Sequence, residues 1–141
     1  MNVLDVFSGI GGFSLGLNRA GMKTIAFCEI DEFCRKVLSK NFPGIPIYED
    51  VTKLDCSKIG HVDVLCGGWP CQAHSTAARG RNVQKDMWQD FFRIVQRIRP
   101  AWVIAENVPR ALDGWNKIQR DFDSAGYKSA AIVVDTAIPE R

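Results

Sequence analysis

Hydrophobic and polar positions follow two patterns along the chain: short apolar runs rich in β-branched residues, and longer stretches with apolar residues three and four apart. The short runs are typical of strands and the longer stretches of amphipathic helices. Their alternation favours an α/β fold, with a mostly parallel sheet and helices on both faces. Strands are predicted at Asn2–Phe7, Lys23–Cys28, Ile45–Tyr48, Val62–Cys66, Ala101–Ala105 and Tyr127–Val134.

Helices are predicted between these strands, and residues that stop helices follow three of them. Gly21, Pro100 and Gly126 stand just beyond the first, third and fourth helical stretches, where glycine adopts the left-handed conformation and proline cannot continue the helix. On the third helix, the arginines lie mostly off the apolar stripe and are predicted to form a solvated face. The helices are predicted at Phe13–Ala20, Glu32–Asn41, Met87–Arg99 and Gly114–Ser124, and the arginines are Arg93, Arg97 and Arg99.

Length and composition predict one domain over residues 1–141, since 46% of the residues are hydrophobic, as in ordinary globular proteins. A net charge of +2 neither requires nor excludes a polyanionic partner. The five cysteines, an odd number without a CxxC pair, favour a reducing compartment, expected to be the cytoplasm, and no metal site. No run approaches the roughly 18 uncharged apolar residues of a membrane span, so we expect a soluble protein without a membrane partner.

Glycines cluster where the first strand meets the first helix. Gly9, Gly11 and Gly12 lie in "FSGIGGFSLGL", where glycine lets the backbone approach a ligand and the helix N-terminus directs amides at it. Glu29 ends the second strand at about the spacing of the acidic residue that binds ribose hydroxyls in dinucleotide folds. Asp50, after the third strand, is placed to accept from a donor such as an adenine amino group. These residues predict a nucleotide-like cofactor and leave a nicotinamide or flavin dinucleotide open.

Two reactive groups follow the fourth and fifth strands. Cys71 comes after Pro70, which fixes the backbone, and loop amides or a helix N-terminus could lower the pKa of its thiol. Glu106, in "ENVP", would reach the same edge of the sheet. A nucleophilic thiol and a carboxyl are therefore predicted side by side. Cys28 and Cys66, within apolar strands, are predicted core residues instead.

The segments "DVFSGIGGFSLGL", "CEID", "EDVT", "GGWPCQAHS" and "ENV", in this order, resemble the leading motifs of the DNA (cytosine-5-)-methyltransferases, which use S-adenosylmethionine. The resemblance extends from Asp5 to about Pro139. It implies a Rossmann-like S-adenosylmethionine-dependent methyltransferase fold and methyl transfer to carbon 5 of cytosine in double-stranded DNA. The expected setting is restriction-modification in a bacterial or phage-infected cell.

The resemblance also implies the roles of individual residues in binding the cofactor. Glu29 would bind the ribose hydroxyls, Ile30 would pack on the adenine, and Asp50 with Val51 would contact the adenine edge. The implied cofactor contacts are Phe7, Gly9, Gly11, Gly12, Glu29, Ile30, Asp50, Val51 and Met87, with Trp88 as the alternative to Met87.

For catalysis, the resemblance implies that the Cys71 thiolate adds to carbon 6 of the base. It also implies that Glu106 hydrogen-bonds or protonates ring nitrogen 3 and holds the exocyclic amine. The target base must leave the duplex, and Gln72 and Ser75 match positions near the flipped nucleotide. The basic residues of the following loop are suited to contact phosphates. They are Arg79, Arg81 and Lys85.

Part of the family pattern is missing from these 141 residues. The chain ends in "AIPER", before the family's next motif of two arginines, and lacks the target-recognition domain and the C-terminal motifs. We therefore expect an incomplete, C-terminally truncated catalytic domain, with a second chain as a candidate for supplying the rest. Two alternatives stay open: a fragment that binds cofactor or a partner chain without turnover, and a dinucleotide-dependent oxidoreductase, which would leave the PCQ and ENV segments unexplained.

Overall fold

The computed structural model describes residues 1–70, 86–108 and 114–134. The chain divides into two compact units, Met1–Asn107 and Val108–Arg141. No helix in these described ranges is long and apolar enough to cross a membrane.

The first unit is built on a five-stranded sheet in which every neighbouring pair is parallel, in the order β3-β2-β1-β4-β5. The predicted parallel α/β sheet is therefore confirmed. β1 lies at its centre and is almost wholly buried, because strands covered on both faces are apolar throughout. The strands are β1 Asn2–Val6, β2 Lys23–Cys28, β3 Ile47–Tyr48, β4 Val64–Gly67 and β5 Trp102–Ala105.

Three helices of this unit lie close to their predicted positions: α1 at Gly12–Arg19, α2 at Glu32–Asn41 and α3 at Trp88–Ile98. Asp31 caps α2 by accepting from the Cys34 N–H at 2.8 Å. Arg99 ends α3 in the left-handed conformation, with φ 54°. The predicted stop at the proline after it is therefore confirmed.

β3 begins two residues later than predicted, and the backbone between α2 and β3 explains the difference. The Ile45 N–H donates to the Phe42 carbonyl in a turn, and Pro46 has no N–H to donate. The ladder with β2 therefore starts at Ile47. Two 3-10 turns, Val51–Lys53 and Cys56–Lys58, lead from β3 towards β4.

The strand order places the helices on opposite faces of the sheet. Steps from β1 to β2 to β3 run one way and the step from β4 to β5 runs the other way. Since parallel crossovers are right-handed, α1 and α2 cover one face and α3 covers the other. On the α1 face, Phe13 and Leu17 pack against Val3, Val64 and Cys66.

The second unit contains α4, Trp115–Ser124, which ends before Gly126 at φ 82°. Phe122 packs edge-on against Tyr127, and its carbonyl accepts from the Tyr127 N–H at 2.9 Å. The predicted strand at Tyr127–Val134 is wrong, since these described residues form no strand. β-branched residues favour extended backbone, but a strand also needs a partner with which to form a hydrogen-bond ladder.

Candidate active site

The glycine turn after β1 uses left-handed backbone at three residues: Phe7 and Gly9 at φ 53°, and Gly11 at φ 91°. A Cβ on Gly11 would lie 2.7 Å from Cε2 of Phe42 and 2.9 Å from Cδ2 of Leu38. Gly11 is therefore needed for close packing against α2. A Cβ on Gly9 would meet no atom of the described residues within 4 Å, so this side of the turn is open to a ligand.

The Glu29 carboxylate connects the glycine turn to the start of α2 by hydrogen bonds. Its Oε2 accepts from the Gly9 N–H at 2.7 Å, and its Oε1 accepts from the Asp31 N–H at 2.8 Å. The residue is 8% exposed. A carboxylate has about four lone-pair sites, so both oxygens retain acceptor capacity for hydroxyl groups of a ligand.

Ile30 presents an apolar side chain next to this carboxylate. Arg35 of α2 donates to the carbonyls of both Glu29 and Ile30, which fixes the backbone there. The Ile30 side chain itself is 74% exposed. An exposed apolar group on a fixed backbone is suited to pack against a flat ring.

Asp50 and Val51 form a turn at the end of β3. Asp50 Oδ1 accepts from the N–H and the hydroxyl of Thr52, which lowers the pKa of the Asp50 carboxyl. The Oδ2 atom lies 3.4 Å from Nζ of Lys53. The carboxylate is thus charged and its direction is set by its own turn.

Arg93 of α3 reaches this turn and donates to the Val51 carbonyl. The interpretation of Arg93 as part of a solvated helix face is therefore wrong. Helical periodicity separates the apolar stripe from the polar side of α3. It does not show which polar residue at the border reaches a neighbouring segment, and we find no sequence signal that would have shown it.

The glycine pair Gly67 and Gly68, at the end of β4, brings three strand ends together. A Cβ on Gly67 would lie 2.1 Å from the Val6 carbonyl oxygen, and one on Gly68 would lie 2.7 Å from Oε2 of Glu106. The Glu106 N–H donates to the Gly67 carbonyl at 3.1 Å. Glycine is therefore needed where β4 passes β1, and the Glu106 carboxyl lies directly beside the Gly68 backbone.

Trp69 and Pro70, which precede Cys71, are held by two other segments. The Trp69 ring packs on Trp88 of α3, with centroids 5.0 Å apart, and its carbonyl accepts from the Asn107 amide at 3.0 Å. The Pro70 carbonyl accepts from the Met87 N–H at 3.4 Å. Met87, an implied cofactor contact, therefore lies next to Pro70, whereas Trp88 is 2% exposed and belongs to the core.

Asp5 is a buried carboxyl beneath the glycine turn. Its Oδ2 accepts from the Ser14 hydroxyl at 2.7 Å, and its carbonyl accepts from the Ser8 hydroxyl at 2.7 Å. Burial raises the pKa of Asp5 to about 6. The sequence interpretation assigned it no role, although a charged residue inside an apolar strand is a signal of a buried, hydrogen-bonded group.

These groups surround the point where the strand order reverses. The glycine turn follows β1 and the Gly68–Pro70 segment follows β4, the two strands on either side of the reversal. Ligands of open α/β sheets bind at this place, beyond the carboxyl ends of the strands. The arrangement brings the glycine turn, the Glu29 carboxylate and the Glu106 carboxyl to the same edge of the sheet.

The sequence profile of the C-5 cytosine-specific DNA methylases matches residues 1–138. The chain belongs to this family. Type II methyltransferase M2.BsuMI of Bacillus subtilis is 36% identical over 119 residues, which cover 79% of this chain. Type II methyltransferase M.Eco47II of Escherichia coli is 40% identical over 111 residues, or 75% of this chain.

A solved Escherichia coli structure, described as a prophage-encoded DNA modification methyltransferase, superposes on this methylase-family chain with a TM-score of 0.70. It is 32% identical, and the superposition covers 87% of this chain and 37% of that one. The likeness confirms the predicted methyltransferase fold. The chain spans 30% of the length of M2.BsuMI and 27% of M.Eco47II.

The predicted nucleophile and DNA contacts of this methylase-family chain lie in residues 71–85, outside the described residues, so their roles remain predictions. They are Cys71, Gln72, Ser75, Arg79 and Arg81, with Lys85. Cys28 and Cys66 are fully buried, which confirms them as core residues. Burial raises the pKa of Cys28 to about 12 and that of Cys66 further. Neither thiol is a competing nucleophile.

Proposed function

We propose that this chain carries the S-adenosylmethionine-binding catalytic part of an enzyme that methylates carbon 5 of cytosine in double-stranded DNA. The observation that carries the proposal is the Glu106 carboxyl beside Gly68, three residues before Cys71. It lies at the sheet edge that also bears the glycine turn and Glu29. Membership of the C-5 cytosine-specific methylase family supports the same activity.

The described residues fit S-adenosylmethionine. The open side of Gly9 leaves room for the cofactor backbone, and the Glu29 oxygens have spare acceptor sites for two ribose hydroxyls. Ile30 offers an exposed apolar surface to the adenine. The Asp50 carboxylate can accept a hydrogen bond from the amino group of the adenine. When bound, the cofactor supplies an electrophilic methyl group.

We assign the chemistry at the base to Cys71 and Glu106. The Cys71 thiolate would form a bond to carbon 6, which makes the electron pair of the 5,6 double bond available at carbon 5. Carbon 5 would then bond the methyl group of the bound cofactor, as the methyl–sulfur bond breaks and the electron pair of that bond stays on sulfur. Glu106 hydrogen-bonds or protonates ring nitrogen 3 and holds the exocyclic amine, which stabilises the charge that develops on the base. The carbon 5 proton passes to water, and its bonding electron pair restores the 5,6 double bond and expels the Cys71 thiolate.

Double-stranded DNA is the proposed partner, and its target base must be flipped out of the stack. Gln72 and Ser75 would line the flipped nucleotide, while Arg79 and Arg81 would contact phosphates. We propose that selection of the DNA sequence belongs to polypeptide beyond these 141 residues, in the same protein or in a second chain.

The decisive experiment traps the proposed Cys71 adduct. The chain, alone and with candidate partner chains, is incubated with S-adenosylmethionine and a mixed-sequence duplex that carries 5-fluorocytosine. Fluorine blocks loss of the carbon 5 substituent, so the adduct persists and mass spectrometry after digestion should find it on the peptide that contains Cys71. Cys56→Ser, at a half-buried cysteine in a separate turn, should still form it.

Cys71→Ser should form no adduct and transfer no methyl group, while S-adenosylmethionine binding stays within about twofold. Methyl transfer by the Ser variant would overturn the mechanism. Cofactor binding without an adduct in any assembly would favour the alternative of a fragment that binds but does not turn over.

A further inference from the structure

Arg93 makes a long-range contact that the proposed chemistry does not use. Its guanidinium extends from α3 to the Val51 carbonyl, a residue 42 positions earlier in the chain. Val51 is 7% exposed, so the bond lies where water competes weakly for the carbonyl. A charged donor in such a place makes a stronger hydrogen bond than a neutral one.

The segment that Arg93 holds has little other regular structure. β3 pairs with β2 at only two positions, and the last bond of that ladder joins the Glu29 N–H to the Tyr48 carbonyl. Beyond Tyr48 the turn is closed by local bonds, such as Lys53 N–H to the Asp50 carbonyl at 3.1 Å. Arg93 adds a hydrogen bond between this turn and α3, a regular helix that is distant in sequence.

The same helix also holds the segment that leads to the proposed nucleophile. At its first turn, the Met87 N–H donates to the Pro70 carbonyl and the Trp88 ring packs on Trp69. An α-helix of 11 residues is a rigid element. The Asp50–Val51 turn and the Trp69–Pro70 segment are therefore both held against the same helix, α3.

We propose that Arg93 is a positioning residue, which holds the Asp50–Val51 turn at the adenine edge and thereby makes the cofactor site selective for adenine. This inference rests on the proposed function, in which Asp50 and Val51 contact that edge. The bond to the Val51 carbonyl fixes the plane of its peptide group, and the Thr52 contacts fix the Asp50 carboxylate on the same turn. Loss of the guanidinium would let the turn shift as a unit, which would move both adenine contacts away from the adenine edge.

The test compares two ligands that differ only at the adenine edge. S-adenosylhomocysteine and its analogue with hypoxanthine in place of adenine are titrated calorimetrically into the chain and its variants. The original chain should prefer the adenine ligand. Arg93→Gln should weaken binding of the adenine ligand by about tenfold, the effect of losing one hydrogen bond to a charged group. It should leave binding of the hypoxanthine ligand almost unchanged. The ratio of the two dissociation constants should therefore fall towards one.

Two further variants separate positioning from stability. Arg97→Gln, at an exposed position one turn along α3, should keep both affinities and the preference. Arg93→Lys keeps the charge without the planar fork and should recover part of the preference; if the Gln variant does not fold, the Lys variant should still show a reduced preference.

Equal weakening of both ligands by Arg93→Gln, with the preference retained, would overturn the positioning role and leave a purely structural one. So would an unchanged preference in the Lys variant when the Gln variant does not fold. If the original chain binds neither ligand, the proposed function fails, and this inference fails with it.

Discussion

The carboxylate of Glu29 accepts a hydrogen bond from the backbone N–H of Gly9 at 2.7 Å, across 20 residues of sequence. This bond joins the end of β2 to the glycine turn that follows β1. It shows that the acidic residue shapes the glycine turn. A ribose bound at Glu29 would therefore lie against a turn that is already fixed.

Glu29→Gln should weaken binding of S-adenosylhomocysteine by about 1–3 kcal/mol. The amide replaces one accepting oxygen with an NH₂ group, which cannot accept from a backbone N–H or a ribose hydroxyl. Isothermal titration calorimetry measures the effect. Glu32→Gln is the control, since Glu32 is exposed and pairs with Lys36 on the surface of α2; equal affinities of the two variants would remove Glu29 from the ribose site.

Gly11→Ala should destabilise the fold more than Gly21→Ala. Both glycines have left-handed backbone, φ 91° and φ 84°, which costs an alanine about 1–2 kcal/mol. Of these two glycines, only Gly11 would bring its new Cβ against neighbours among the described residues, at Phe42 and Leu38, and this overpacking should add about 1–3 kcal/mol. Denaturant unfolding measures both variants, and equal losses would contradict the packing argument.

Gly68→Ala should reduce methyl transfer, or trapping on 5-fluorocytosine DNA, by about 10- to 100-fold in an assembly that is active. The new Cβ would lie 2.7 Å from Oε2 of Glu106, so the flexible carboxyl must move away from its position. Cofactor affinity should not change, because Glu106 does not belong to the proposed cofactor site. Gly60→Ala, where the described residues leave open space, is the control; unaltered transfer by the Gly68 variant would separate Glu106 from the reaction.

Asp5 should make the chain less stable as the pH rises from about 4 to about 6. Its pKa is 3.8 without burial and about 6 in the fold, so the folded protein binds more protons than the unfolded chain between these values. The stability that protonated Asp5 contributes is complete below pH 3.8 and is lost as the pH rises through 6. The two pKa values correspond to about 3 kcal/mol.

The Asn side chain of Asp5→Asn does not titrate, so this variant should not lose stability through residue 5 as the pH rises. The free energy of unfolding of the variant should therefore increase relative to that of the original chain between about pH 4 and pH 6. Urea unfolding at several pH values gives the difference. Asp63→Asn should show the opposite trend at lower pH, since the bond from the Asn2 N–H lowers the pKa of Asp63. A pH-independent difference for Asp5→Asn would mean that Asp5 keeps an ordinary pKa in the fold.

Several features of this protein follow from the sequence by itself. Hydrophobic periodicity is local, so it located β1, β2 and all four helices to within about two residues. Parallel strands bring their carboxyl ends to one edge of the sheet. Glu29, Asp50 and Glu106 follow the second, third and fifth strands, and these positions were therefore enough to predict that the three residues share an edge.

Tertiary structure alone decided how individual side chains are used. Gly11 packs against α2 whereas Gly9 stays open, although both stand in one glycine turn. Arg93 binds the Val51 carbonyl, and the residues of Tyr127–Val134 form no strand. Each outcome depends on which distant segment lies within a few ångströms, and spacing along the chain carries no information about that distance.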